Sequence, residues 1–259
     1  HLKLDKARIF VAGKGREVLE NLEKVAPFGK KLKVSYYDQY GTPTERPDYS
    51  SQLPEGVTSA SILNNYFDAL GGLDKLKGIS SKSEIAEGSM QGMQLQIKSK
   101  KTNQKQSSLE VSMMGNVLQK QVINKDKGYM EAQGQHIDLA GEELENAIMD
   151  SQIFPELSID PSAVKARVAD VNGVAAYELA VSESKSFFYD QKTFLKIKIS
   201  ETQEVQGNTI TQETLVGDYK AVDGILFPHK LTQSFGPQSI DFITKSIGLN
   251  GTIDGADFN

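Results

Sequence analysis

The segment whose spacing most resembles phosphate chemistry is Gly13-Lys14-Gly15, which follows the apolar run Ile9-Phe10-Val11-Ala12 and opens a helical stretch. Asp38 lies 25 residues beyond Gly13, after a second apolar run. In a dinucleotide site the glycines let the backbone approach a pyrophosphate at a helix N-terminus, and the acid binds a ribose hydroxyl. Two features argue against that use. The position that should be small where helix crosses strand is Val18, and no strand–helix alternation continues beyond residue 40 to build the phosphate crevice between parallel strands. The glycines read as a strand-to-helix turn.

Other reactive residue types are equally unsupported by their neighbours. Ser89 in "GSMQG" directly follows Gly88, whereas a nucleophile elbow needs its serine centred in G-x-S-x-G. His1, His136 and His229 are far apart, and none has a second ligand at the three- or four-residue spacing of a zinc-binding helix. "NKDKGYME" has Asn124, Asp126 and Gly128 without the closing glutamate of a calcium loop, so it reads as a hairpin turn. Glu142-Glu143 open a helix, where negative charge favours the dipole. No catalytic set, metal site or cofactor site is assigned.

The elements that would position any site fall into two regimes. From 8 to 38 the pattern is strand, helix, strand: "RIFVAG", then Arg16 to Val25 with Val18, Leu19, Leu22 and Val25 on one stripe, then "KLKVSYYD". Residues 41–57, with Pro43, Pro47 and Pro54, read as a linker. In "TSASILNNYFDALGG" Ile62, Leu63, Tyr66, Phe67 and Leu70 share one helical face, Thr58 or Ser59 caps the start, and Gly71-Gly72 ends it. After Ile79 the period becomes two, as in "MQLQIKSK". Gly115-Asn116, Asn172-Gly173, Gly207-Asn208 and Asp223-Gly224 supply the turns of an antiparallel meander. A helix at "LAGEELENAIMD", followed by Pro155 and Pro161, interrupts it midway.

Composition narrows the partners. The chain has 259 residues, a net charge of −5 and no cysteine, so disulfides, thiolate metal sites and cysteine nucleophiles are excluded. Lysines are dispersed rather than clustered, which argues against nucleic acid. No apolar run approaches the roughly 20 residues of a membrane-spanning helix. The absence of an initiating Met, with a strand almost at once, leads us to expect a fragment of a longer protein.

Two resemblances are specific. "LDKARIFVAGKGREVLENLEKVAPFGKKLKVSYYDQYG" resembles the closing segment of pitrilysin/insulinase-type zinc metallopeptidases. That implies a peptidase-like parent whose H-x-x-E-H motif is absent from this chain. The stretches "YFDALGGLDKLKGI" (66–79), "GVAAYELAV" (173–181), "SFFYDQKTFLKIKI" (186–199), "GDYKAVDGILFPHKL" (217–231) and "IGLNGTIDGADF" (247–258) are similar to the lipoprotein-carrier (LolA-like) superfamily as found in Bacteroidetes. This resemblance implies a strongly curved antiparallel sheet, an incomplete barrel plugged by helices, and a cavity that shelters acyl chains. It also implies a periplasmic or outer-membrane-associated location.

The expected architecture is therefore mainly β (α+β): residues 1–40 closing a peptidase-like domain, 41–57 a Pro-rich linker, and 58–259 a carrier-like half-barrel. Met93, Leu95, Ile97, Val111, Met113, Leu195, Ile197, Ile199, Phe227 and Leu231 are the candidate lining of a concave apolar cavity for a lipid, acyl chain or apolar peptide. The same alternation serves a filled core equally well. The expected function is a noncatalytic accessory or binding module, with a purely structural domain as the alternative and a free-standing hydrolase behind both. The remainder of a peptidase chain, or a partner subunit carrying it, is the expected protein partner.

Overall fold

A computed structural model describes residues 10–11, 19, 22, 25, 33–38, 41–46, 53–205, 208–235 and 238–258. Most of the expected N-terminal strand-helix-strand, including Gly13 and Gly15, lies outside the described residues. Within that region Leu19 and Leu22 are helical. Tyr36–Tyr37 (β1) pairs antiparallel with Pro43–Thr44 (β2), so the expected linker contributes half of a small hairpin. A proline is tolerated in so short a strand because its missing N–H leaves no ladder bond unmade.

Beyond residue 57 the chain begins with helix α1, Ser59–Leu70. Thr58 Oγ1 accepts from the Ser61 N–H at 3.1 Å and Ser61 Oγ accepts from the Thr58 N–H at 2.9 Å, a reciprocal cap. Ile62, Leu63, Tyr66, Phe67 and Leu70 are its buried residues. Gly71 stops the helix at φ +129° and packs so closely that an added Cβ would lie 2.6 Å from the Gly224 carbonyl oxygen. Helix α2, Leu73–Lys77, follows at once.

Thirteen strands then form one antiparallel sheet. The first run is β3 (Ser81–Met90), β4 (Met93–Thr102), β5 (Gln106–Met113), β6 (Asn116–Asn124), β7 (Lys127–Ala132) and β8 (Gln135–Asp138). Helix α3 (Gly141–Ser151) and a 3-10 turn at Pro155–Ser158 intervene. The second run is β9 (Lys165–Val171), β10 (Val174–Ala180), β11 (Lys185–Asp190), β12 (Lys196–Val205), β13 (Asn208–Val222), β14 (Ile225–Phe235) and β15 (Gln238–Leu249). Each run is a chain of hairpins. They join where β15 pairs with β3, leaving β8 and β9 as unjoined edges of a curved, unclosed sheet.

Turn chemistry follows the expected logic with one shift. Asn172-Gly173 and Asp223-Gly224 both have positive φ, as tight primed hairpins require. At the β5–β6 hairpin the pair is Met114-Gly115 rather than Gly115-Asn116. Gly207 lies outside the described residues. Gln91-Gly92 turns "GSMQG" between β3 and β4, leaving Ser89 in a strand. Burial concentrates under α1, where its apolar face meets Leu179, Phe187, Tyr189, Ile225 and Phe227 from three strands.

Candidate functional site

The concave face has two unlike halves. The half beneath α1 is mostly packed core with a small chamber at its edge. The other half, where β3–β5 face β13–β15, forms an open-sided cavity of about 1520 Å³. Ligand pockets for drug-sized molecules run to roughly 1000 Å³, so this volume belongs to a larger or longer guest. Register defines its walls. On β3 the residues Lys82, Glu84, Ala86, Gly88 and Met90 stand opposite Lys101, Ser99, Ile97, Leu95 and Met93 of β4. Side chains two apart share a sheet face, so each strand runs from charged or polar at one end to apolar at the other.

Leu95 and Ala86 are buried with Ile240 and Phe242, and Ile97, Met113 and Leu231 pack against them. Gly88 makes the apolar end possible, since an added Cβ would lie 2.9 Å from both the Asp241 carbonyl oxygen and Phe242 Cδ1. Of the ten residues expected to line a cavity, Leu95, Ile97, Val111 and Leu231 line this one and Met113 abuts it. Met93 is half-buried beside the β3–β4 turn. Leu195, Ile199 and Phe227 pack with the core under α1, and Ile199 and Phe227 also line a second, smaller chamber there. Ile197 is elsewhere: it packs with Ala169, Val171, Ala176 and Phe188. The cause is a register shift between Phe188 and Tyr189, which makes Ile197 the extra residue opposite them.

A charged inner chamber of about 350 Å³ adjoins the cavity and shares Lys82, Lys101, Gln212, Thr214 and Gln233 with it. Here three strands hold the segment running from α3 into the 3-10 turn. Lys101 of β4 donates to the carbonyls of Asp150 and Gln152. Lys185 of β11 pairs with Asp150 at 2.6 Å and Glu201 at 3.3 Å. Lys196 of β12 meets Glu156 Oε1 at 2.6 Å, stands 4.5 Å over the Phe187 ring, and shares that carboxylate with the Tyr189 hydroxyl. Glu156 Oε2 has no hydrogen-bond partner among the described residues.

Electrostatics follow from burial and pairing. Burial pushes Lys101 down to about 8, and the Lys82 charge opposite adds to the effect. Burial would raise the Glu84 carboxyl, but the Lys82 ammonium and hydrogen bonds from Lys82 and Thr244 hold it below the usual range. Burial lowers Lys185, yet Asp150 and Glu201 outweigh it and the group is raised. Tyr66, Tyr189 and Tyr219 are raised by burial and by Glu156. Glu84, Lys185 and the three tyrosines are thus held in one protonation state at neutral pH, whereas the Lys101 pKa is brought close to neutral pH.

The histidines are apart. His136 stacks on Tyr129 at 4.5 Å and lies 3.4 Å from both Glu131 and Asp138 near the cavity rim, while His229 Nδ1 meets the Phe227 carbonyl at 2.9 Å. Among the described residues no three His, Asp or Glu side chains are grouped to hold a metal. No described helix is long and apolar enough to cross a membrane.

Sequence reasoning missed the polar inner wall and the apolar pair Ile240 and Phe242. The signal was present. Met93, Leu95, Ile97, Ser99 and Lys101 share one parity in "MQLQIKSKK", and its change from apolar to charged marks where the cavity changes character.

An open antiparallel half-barrel around an apolar cavity with helices against its concave side defines the class. Among solved structures the chain is similar to a LolA superfamily protein from Nitrosomonas europaea, at 13% identity and TM-score 0.51, over 79% of this chain and 98% of that one. A DUF1329 family protein from Desulfovibrio piger aligns at 10% identity over 78% and 97%, TM-score 0.49. Lipoprotein LppX from Mycobacterium tuberculosis aligns at 11% over 76% and 97%, TM-score 0.29. The first of these establishes the likeness of fold. No protein-family model and no curated protein matches the chain.

Proposed function

We propose that residues 58–259 form a noncatalytic binding module that shelters the apolar chain of a lipid or lipoprotein outside the cytoplasm. The observation that carries this is the cavity of about 1520 Å³ walled by Leu95, Ile97, Val111, Leu231, Ile240 and Phe242. A filled core would have collapsed onto such a surface, since each buried Leu or Phe contributes roughly 1.5–3 kcal/mol. The fold shared with the LolA superfamily protein supports the same reading. The structural alternative suits the half under α1, where Ile62, Leu63, Leu179 and Tyr189 are packed core.

The test is direct. Because the chain has no tryptophan, Leu95→Trp places a single reporter in the cavity wall. Native mass spectrometry of the wild type should show co-purified lipid. Brominated lipid should quench the emission of the introduced indole. Absence of both results refutes the reading.

The finer proposal, that the module is an accessory of a zinc metallopeptidase, is supported by the N-terminal resemblance alone. An H-x-x-E-H motif on the same polypeptide or on a co-purifying subunit is its test, and a full-length protein without either ends it.

A further inference from the structure

At the boundary of the two chambers Lys82 and Lys101 stand directly opposite one another on the concave face. Like charges in that cross-strand position repel. Glu84 answers Lys82 at 2.6 Å, and Asp150 and Glu201 answer Lys185. Lys101 forms no ion pair among the described residues; its ammonium meets the carbonyls of Asp150 and Gln152, leaving one of its three N–H donors unused. Around it, Ser99, Gln212, Thr214 and Gln233 line the cavity, and none of their side chains hydrogen-bonds to a described residue. These buried and half-buried groups border an open-sided trough, where a guest's polar atoms can take the place of water on them.

From this level the wall becomes apolar through Ala86 and Ile97 to Met90 and Met93. Eight residues of strand separate Lys82 from Met90, a length of about 26 Å. One leaflet of acyl chain spans about half of the roughly 30 Å hydrocarbon core, so the trough accommodates a tail with its head at the lysines.

We propose that the cavity takes an amphiphile with an anionic head, a carboxylate or phosphate, lodged inward at Lys82 and Lys101 and its tail directed toward the β3–β4 turn. The inference rests on the lipid-binding reading and adds charge selectivity and direction to it. An anion bridging the two ammoniums turns their repulsion into two charge-assisted hydrogen bonds, and Gln212, Thr214 and Gln233 supply neutral donors around it.

The test uses the whole chain loaded with the neutral fluorophore N-phenyl-1-naphthylamine at pH 7. Dodecanoate should displace it at about tenfold or more lower concentration than methyl dodecanoate, the order of one charge-assisted hydrogen bond. Lys101→Met should abolish that preference while still binding the fluorophore, and Lys101→Arg should retain it. Acetate and inorganic phosphate, which have a head but no tail, should not compete at the dodecanoate concentration. Equal displacement by acid and ester, with normal fluorophore uptake, overturns the head-group inference and leaves lipid binding standing. Competition by acetate or phosphate as strong as by dodecanoate also overturns it, because the site then belongs to free anions. Failure of the fluorophore to bind refutes the lipid reading and this inference with it.

Discussion

The pair formed by Glu156 and Lys196 fastens the 3-10 turn to the concave sheet, and the two residues respond differently when one or both are removed. Their side chains are 1% and 11% exposed and meet at 2.6 Å. Glu156→Leu strands an ammonium in that space. Breaking a buried pair from one side typically costs about 3–5 kcal/mol. The Phe187 ring at 4.5 Å and the Tyr66 ring at 5.9 Å remain beneath the cation, and such contacts return about 0.5–2 kcal/mol. The expected cost is therefore about 1–4.5 kcal/mol, a fall in Tm of roughly 2–18 °C for a domain of this size. Lys196→Met leaves the carboxylate unpaired apart from the Tyr189 hydroxyl and should cost at least as much. The double variant removes both charges, and apolar replacement of a buried pair is commonly neutral or stabilising. Its stability should lie within about 1 kcal/mol of the wild type, giving a coupling of about 1 kcal/mol or more. Thermal and urea unfolding of the four proteins measure this. If the single variants lose less than about 0.5 kcal/mol, or the double variant loses the sum of the singles, the buried pair is not an interdependent fastening.

Three further outcomes follow from other parts of the molecule. Lys101 has a folded-state pKa of about 8 against roughly 10.4 unfolded, so between those values the unfolded chain binds the extra proton. The stability of the wild type relative to Lys101→Met should therefore rise with pH across that window, by on the order of 3 kcal/mol, and stay flat below it; urea unfolding from about pH 7 to 10 tests the slope. Gly71→Ala places a Cβ against the Gly224 carbonyl at φ +129°, and should lose roughly 1–3 kcal/mol by thermal unfolding. Ile62→Ala, at a side chain with no exposure, should lose about 2–5 kcal/mol by the same measure, with the upper end expected if the α1 face does not collapse around the gap.

The fold was legible wherever one local signal agreed with the next. In α1 a capping residue, an apolar stripe and a glycine stop coincide, and the buried set Ile62, Leu63, Tyr66, Phe67 and Leu70 is the one the periodicity selects. Alternation likewise revealed the hairpins. Legibility failed where the structure departs from alternation without changing composition. "LKIKIS" alternates without a break, yet Ile197 leaves the face of Ile199 because Phe188 and Tyr189 on the neighbouring strand impose a bulge. Such a bulge depends on two strands, whereas alternation is a property of one. The division of the concave face into filled and open halves was illegible for a related reason. Phe227 and Leu231 lie on the same strand, but the first packs under α1 and stacks on Phe154 at 5.6 Å, while the second borders open space. Which helices cover which part of a sheet is a tertiary fact.

The placement of polarity along β3 and β4 tells most about use. A cavity meant only to exclude water would be apolar to its end, and one meant to hold the plug would stop at paired charges. Here two adjacent strands change character at the same level, from Ala86 and Ile97 to Glu84 and Ser99 and then to Lys82 and Lys101. Strand pairing makes that coincidence geometric, because residues opposite one another face the same volume. Burial first, and then the Lys82 charge opposite, lower Lys101 and disfavour its charged form. A guest that brings a negative charge to that level gives Lys101 the ion pair it lacks among the described residues. The tail then needs the apolar length that the same strands provide beyond it, so one pair of strands specifies both ends of the ligand.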